Sequence, residues 1–84
     1  MHIEQQRKIR TLLRSVLSPS TEAMGLYISG IEFAQEDRGP MVRIYIDGEN
    51  GVGIAQCASL TKEFDPILDV EDPLPDAYIL EVSS

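Results

Sequence analysis

The chain is poor in the residues that most active sites and exported proteins depend on. It has one cysteine, one histidine and no tryptophan, and only 6% of its residues are aromatic. A single cysteine cannot form an internal disulfide, and the N-terminus is polar where a secretion signal needs an apolar segment. No apolar run is long enough to cross a membrane. We therefore expect a cytoplasmic domain with no membrane association.

The side chains that usually perform catalysis are scarce and scattered. The only histidine, His2, lies at the N-terminus, and no paired acid–base set is visible. Cys57 falls on the apolar stripe of a predicted helix, where a buried thiol is inert. The sequence therefore predicts no catalytic residue, no cofactor and no small-molecule substrate.

One loop gathers oxygen ligands that could suggest a calcium site. Asp47, Glu49 and Asn50 follow one another closely, but a calcium loop counted from Asp47 would need ligands where Gly51 and Ala58 stand. A turn that uses these residues for their backbone tolerance explains the pattern better. We predict no metal site.

Charge is unevenly distributed in the 84-residue chain, whose formal net charge is −7. Residues 36–84 carry eleven acids against three bases, whereas the bases of residues 1–14 outnumber the single acid there. Most of the domain should therefore repel nucleic-acid phosphates and suit a basic protein partner. The alternative is that the acidity only keeps the domain soluble.

Hydrophobic periodicity predicts two helices and three strands. Helical spacing covers residues 3–17, after which Ser18-Pro19 either kinks the helix or caps a further turn that Gly25 ends. A second helix begins near residue 54, is bent or ended early by Pro66, and leads into an extended loop over residues 70–76. Alternating apolar residues predict strands at residues 26–35, 41–47 and 77–82.

This order predicts a two-layer α+β sandwich, helix-strand-strand-helix-strand, with two helices covering one face of a three-stranded sheet. The apolar phase changes across Ser29-Gly30, which predicts a β-bulge there. Residues 35–40 should form the hairpin loop. We expect the third strand to run parallel to the second and to lie beside the first.

Three segments in order, Ile44-Tyr45-Ile46-Asp47, Leu68-Asp69-Val70-Glu71-Asp72-Pro73 and Tyr78 through Ser84, carry a family resemblance, with Gly51 and Cys57 between them. Together they resemble the N-terminal domain of the bacterial ribosome maturation factor RimP family, over residues 1–84. The resemblance implies a cytoplasmic, non-enzymatic factor that binds the small ribosomal subunit during its maturation, near a basic ribosomal protein. It also implies a second, SH3-like domain after residue 84, which these residues do not include.

The expected contact surfaces follow from charge and from this resemblance. We expect the acidic loops and the exit of the third strand to bind the partner, through Asp47, Asp69, Glu71, Asp72, Glu81, Ser83 and Ser84. On alternation, Glu81 should lie opposite the apolar side chains of the third strand, free to point outward or toward the expected second domain. A basic face of the first helix, opposite its apolar stripe, is the candidate contact with ribosomal RNA, through Arg7, Arg10 and Arg14.

Two other functions compete with this hypothesis. Gly48-Glu49-Asn50-Gly51 has the Gly-x-x-Gly spelling of the KH loop, so a KH-like single-stranded RNA-binding module is the alternative. That loop follows a strand here and carries acids, which favours an ordinary turn. The other alternative is an acidic scaffold that only positions a neighbouring domain.

Overall fold

The computed structural model describes residues 2–84, which form two helices and one three-stranded sheet. Both helices pack on the same sheet face and share one hydrophobic core with it. The predicted two-layer α+β architecture is confirmed. In chain order the elements are α1 (Ile3–Glu22), β1 (Tyr27–Glu36), β2 (Gly39–Asp47), α2 (Ile54–Glu71) and β3 (Ile79–Ser83).

Helix α1 buries the stripe that its periodicity predicted. Ile9, Leu13 and Leu17 recur every four residues and are all buried against the sheet. The helix continues through Pro19 to Glu22 and does not restart there. Gly25 then takes a left-handed conformation with φ of 73°, the stop that the sequence indicated.

Strands β1 and β2 form an antiparallel hairpin that is tighter than predicted. Glu36 pairs with Gly39, so the connection has only two residues, Asp37 and Arg38. The pairing register shifts between Ile28 and Gly30, which confirms the predicted bulge. Because of this extra residue, Ile28 and Ile31 both reach the core despite their odd spacing.

Helix α2 is longer than the sequence suggested. It runs through Pro66 to Glu71, so residues 70 and 71 are helical and not part of the loop. A proline inside a helix removes one backbone hydrogen bond, but Phe64 and Leu68 are buried on either side of it and hold both halves on the core. Asp72 ends the helix in a left-handed conformation, with φ of 43°.

The position of β3 differs from the prediction. Its direction is parallel to β2, as expected, but it pairs with β2 and not with β1, which gives the order β1-β2-β3. Strands that follow one another in the chain usually lie side by side, and α2 connects β2 to β3 directly. As a result β2 is the central strand, and its Ile44 and Ile46 are almost completely buried.

Candidate functional site

The parallel pairing of β2 and β3 separates the predicted partner-binding residues. Both strands end at the same side of the sheet, so Asp47 lies near Ser83 and Ser84. Helix α2 starts at that side and returns to the opposite one, where β3 begins. The structure therefore brings the predicted residues together in two groups at opposite ends of the domain: Asp47, Ser83 and Ser84 at one, and Asp69, Glu71 and Asp72 at the other.

Glu81 belongs to neither group, because it lies on the sheet face away from the helices. Register aligns it with Arg43 and Glu32 in one row across the three strands. The Arg43 Nε donates to Glu81 Oε1 at 2.8 Å, and the same guanidinium pairs with Glu32 and Glu36. Glu81 points to the open face, as alternation predicted, but there it pairs with a cross-strand arginine.

The charged groups around Arg43 leave the open sheet face negative. The hydrogen bond to Glu81, then those involving Tyr45 and Glu32, raise the pKa of the Arg43 guanidinium. Like any arginine, Arg43 is protonated, and three carboxylates surround its one positive charge. The open face keeps an excess of negative charge.

A second acidic surface lies beside β3, in a groove of about 490 Å³ between α2 and the loop that leads into the strand. Asp65, Asp69 and Asp72 recur at helical spacing and line its α2 side, and Asp76 contributes from the loop. We call this the acidic groove. None of its lining residues is a lysine, arginine or histidine.

The sequence hypothesis named Asp69 and Asp72 as partner-binding residues but not Asp65, Asp76 or Tyr78, which line the same groove. The spacing of Asp65 and Asp69 by one helical turn was a usable signal. Glu71 is exposed, but it is not among the residues that line the groove.

Tyr78 is the half-buried aromatic residue of the groove. Burial raises the pKa of its hydroxyl, and the nearby carboxylates of Asp69, Asp72 and Asp65 raise it further. The phenol therefore stays neutral in neutral solution. An aromatic ring among carboxylates suits a lysine or arginine side chain, which the ring face attracts and the carboxylates pair with.

The geometry of these carboxylates does not suit a metal ion. Within residues 2–84, no three His, Cys, Asp or Glu side chains come close enough together to hold one. Neither helix in this part of the chain combines the length and apolar content needed to cross a membrane.

The candidate RNA-binding arginines occupy positions that the helical projection did not predict. Arg14 Nη1 donates to the Ile28 carbonyl at 2.8 Å, and Arg10 Nε donates to the Ile31 carbonyl at 3.3 Å. Arg10 also lies 5.1 Å from the centre of the Phe33 ring. These two side chains therefore reach across to β1 and do not form a free basic face opposite the stripe.

Arg10 and Arg14 turn towards β1 because it is an edge strand. Its outer carbonyls, next to the bulge, need hydrogen-bond donors. Arg7 projects into solvent, with 70% of its side chain exposed, and pairs with Glu4 at 3.7 Å. Arg14 is exposed as well, although its Nη1 is engaged, and Arg10 is half-buried. These contacts occupy one guanidinium nitrogen of Arg10 and one of Arg14 and fix both side chains towards β1.

The Gly48–Gly51 loop has a structural explanation at both glycines. Gly51 has φ of 79°, and a Cβ on Gly48 would stand 2.5 Å from Leu26 Cδ2. The loop joins β2 to α2, whereas the KH loop joins two helices. The geometry does not favour the KH-like alternative.

Fold and surface together define a small α+β domain with acidic surfaces. Comparison with known families assigns it further: the family model of the RimP N-terminal domain matches residues 16–84. The chain belongs to this family, a family of ribosome maturation factors that is not a known enzyme family.

Proposed function

We propose that this domain binds the small ribosomal subunit during its maturation, in the cytoplasm, through acidic surfaces that meet a basic ribosomal protein, and that it catalyses no reaction. Family membership supports a role in ribosome maturation. The acidic groove is the observation that carries the choice of partner, because four aspartates line it and no base does.

Electrostatics favours a protein over RNA as the direct partner. The acidic groove and the open sheet face both carry excess negative charge, which repels phosphate. Two of the three candidate RNA-binding arginines already donate to β1 carbonyls. Ribosomal proteins offer lysine and arginine side chains that complement such surfaces, and complementary charge speeds association and excludes wrong partners.

The proposal is tested by binding of the full-length gene product to purified immature small subunits. The test variant is Asp65→Asn/Asp69→Asn/Asp72→Asn. Its matched control, Glu63→Gln/Asp37→Asn/Glu49→Gln, removes the same charge from exposed positions that do not line the acidic groove. At about 0.2–1 kcal/mol for each exposed pair, the test variant should bind roughly tenfold more weakly, and the control should bind nearly as well as wild type.

Equal losses in the two triple variants would show that only net charge matters, which contradicts a defined site. A parallel titration with short RNA oligomers tests the other partner class. Tight binding with a steep loss of affinity on adding salt would overturn the choice of a protein partner.

A further inference from the structure

The two edges of the sheet differ in how well their backbone groups are satisfied. On the β1 edge, the bulge interrupts the strand, and Arg10 and Arg14 donate to its outer carbonyls. Bulges and covering side chains are devices that prevent another strand from pairing with an edge. The β1 edge is therefore protected.

The β3 edge has none of these devices. Its sequence, Ile79-Leu80-Glu81-Val82-Ser83, contains no proline, lysine or arginine, and its only charge, Glu81, is engaged by Arg43. Within residues 2–84, β3 pairs only with β2, and no other hydrogen bond to its backbone is found. Alternate N–H and C=O groups of the strand therefore face outward without a protein partner.

Burial along β3 also indicates a missing neighbour. All five residues of the strand are only half-buried, including Leu80 and Val82, which pack against the core. The corresponding residues of the central strand, Val42 and Ile44, are almost completely buried. A further strand beside β3 would cover the apolar area that Leu80 and Val82 still expose.

Charge decides what kind of strand fits there. The acidic groove shares Tyr78 and Leu80 with the β3 side of the domain, so a strand added at this edge would pass along the aspartates. Pairing two copies of this chain through β3 would bring two acidic grooves and two net charges of −7 together. That repulsion disfavours a second copy and favours a basic segment.

We propose that the outer edge of β3 accepts an extended segment of a basic protein as a fourth strand, with alternate lysine or arginine side chains directed into the acidic groove. This inference rests on the proposed function and specifies the conformation and sequence pattern of the partner segment. Main-chain hydrogen bonds to β3 supply affinity, and the period of two in a strand selects for basic residues at every second position.

The test uses the 84-residue chain and a capped nine-residue peptide of alternating lysine and threonine, with a glutamate–threonine peptide as control. Two isomers are also made, one N-methylated at every lysine and one at every threonine. Residues of one parity direct all their N–H groups to the same side of a strand, so in a given strand direction only one isomer can still pair with β3. We expect amide NMR shifts at residues 79–83 with the parent peptide, and an affinity loss of at least tenfold for one isomer alone.

Three results would overturn the inference: isomers that bind alike, shifts confined to residues outside β3, or a dimer of the free chain whose β3 amides are already protected from exchange. The test is separate from that of the proposed function. If the wild-type protein binds subunits but the two peptide isomers bind alike, the proposed function stands and the added strand does not. If one peptide isomer binds selectively but the protein does not associate with subunits, the added strand stands and the proposed function is refuted.

Discussion

Replacing Asp72 with asparagine should stabilise the domain. Asp72 ends α2 in the left-handed conformation, with φ of 43° and ψ of 59°. Asparagine tolerates this conformation as well as aspartate does, so the backbone need not change. The substitution removes a negative charge from the C-terminus of a helix, where the helix dipole opposes it, and from a groove that three other aspartates line.

The expected gain combines two modest effects. A carboxylate at a helix C-terminus costs about 0.3–1 kcal/mol, and like-charge neighbours add roughly 0.2–0.5 kcal/mol. Asp72→Asn should therefore raise the free energy of unfolding by about 0.5–1.5 kcal/mol. For a domain of this size, 1 kcal/mol corresponds to about 4–8 °C, so the midpoint of thermal unfolding should rise by several degrees.

Thermal and urea unfolding at low and high salt measure this gain and identify its origin. The gain should shrink in 1 M NaCl, where the screening length falls to about 3 Å. Glu63→Gln is the matched control, because it removes the same charge from α2 outside the acidic groove. Glu63 lies about 160° around the helix from Asp65, which lines the groove. A variant no more stable than wild type, or a gain that 1 M NaCl leaves unchanged, would refute the electrostatic reasoning.

Two further predictions concern the core and the groove. Phe64 is fully buried, so Phe64→Ala should lower the free energy of unfolding by about 3–5 kcal/mol in urea titrations, with a smaller loss for Phe64→Leu; equal, small losses would contradict the packing. The Tyr78 hydroxyl should titrate by NMR above its ordinary pKa of 10.0, and Asp69→Asn should lower that pKa without restoring it, because burial is the larger cause. Since the folded-state pKa is the higher one, this group's contribution to stability is complete below pH 10 and is lost as the pH rises towards the folded-state value.

The elements that the sequence predicted well are those set by local pattern. Alternation in β2 and the helical spacing of Ile9, Leu13 and Leu17 depend only on which face each residue presents. The bulge at Ser29 was also predictable, because a change of apolar phase within one strand requires an extra residue.

The features that the sequence did not reveal depend on contacts between distant segments. Strand β3 could satisfy the same alternation beside either neighbour, so its position next to β2 was not encoded locally. The hydrogen bonds of Arg10 and Arg14 to β1 could not be predicted, because a helical projection ignores side-chain length and does not show the outer carbonyls of β1. The acidic groove required knowing that α2 continues past Pro66.

The acidic groove also links the stability of the domain to its proposed binding. The carboxylates of the groove repel one another, and the charge of Asp72 interacts unfavourably with the dipole of α2. Both effects lower the free energy of unfolding of a domain whose small core gives it only modest stability. A basic partner in the groove would neutralise that repulsion, so binding should relieve a strain that the free domain carries. Added salt should then have opposite effects on the two equilibria, because screening stabilises the free fold and weakens the complex. If the acidity of the groove served only solubility, replacing its aspartates would not change both the salt dependence of stability and the salt dependence of binding.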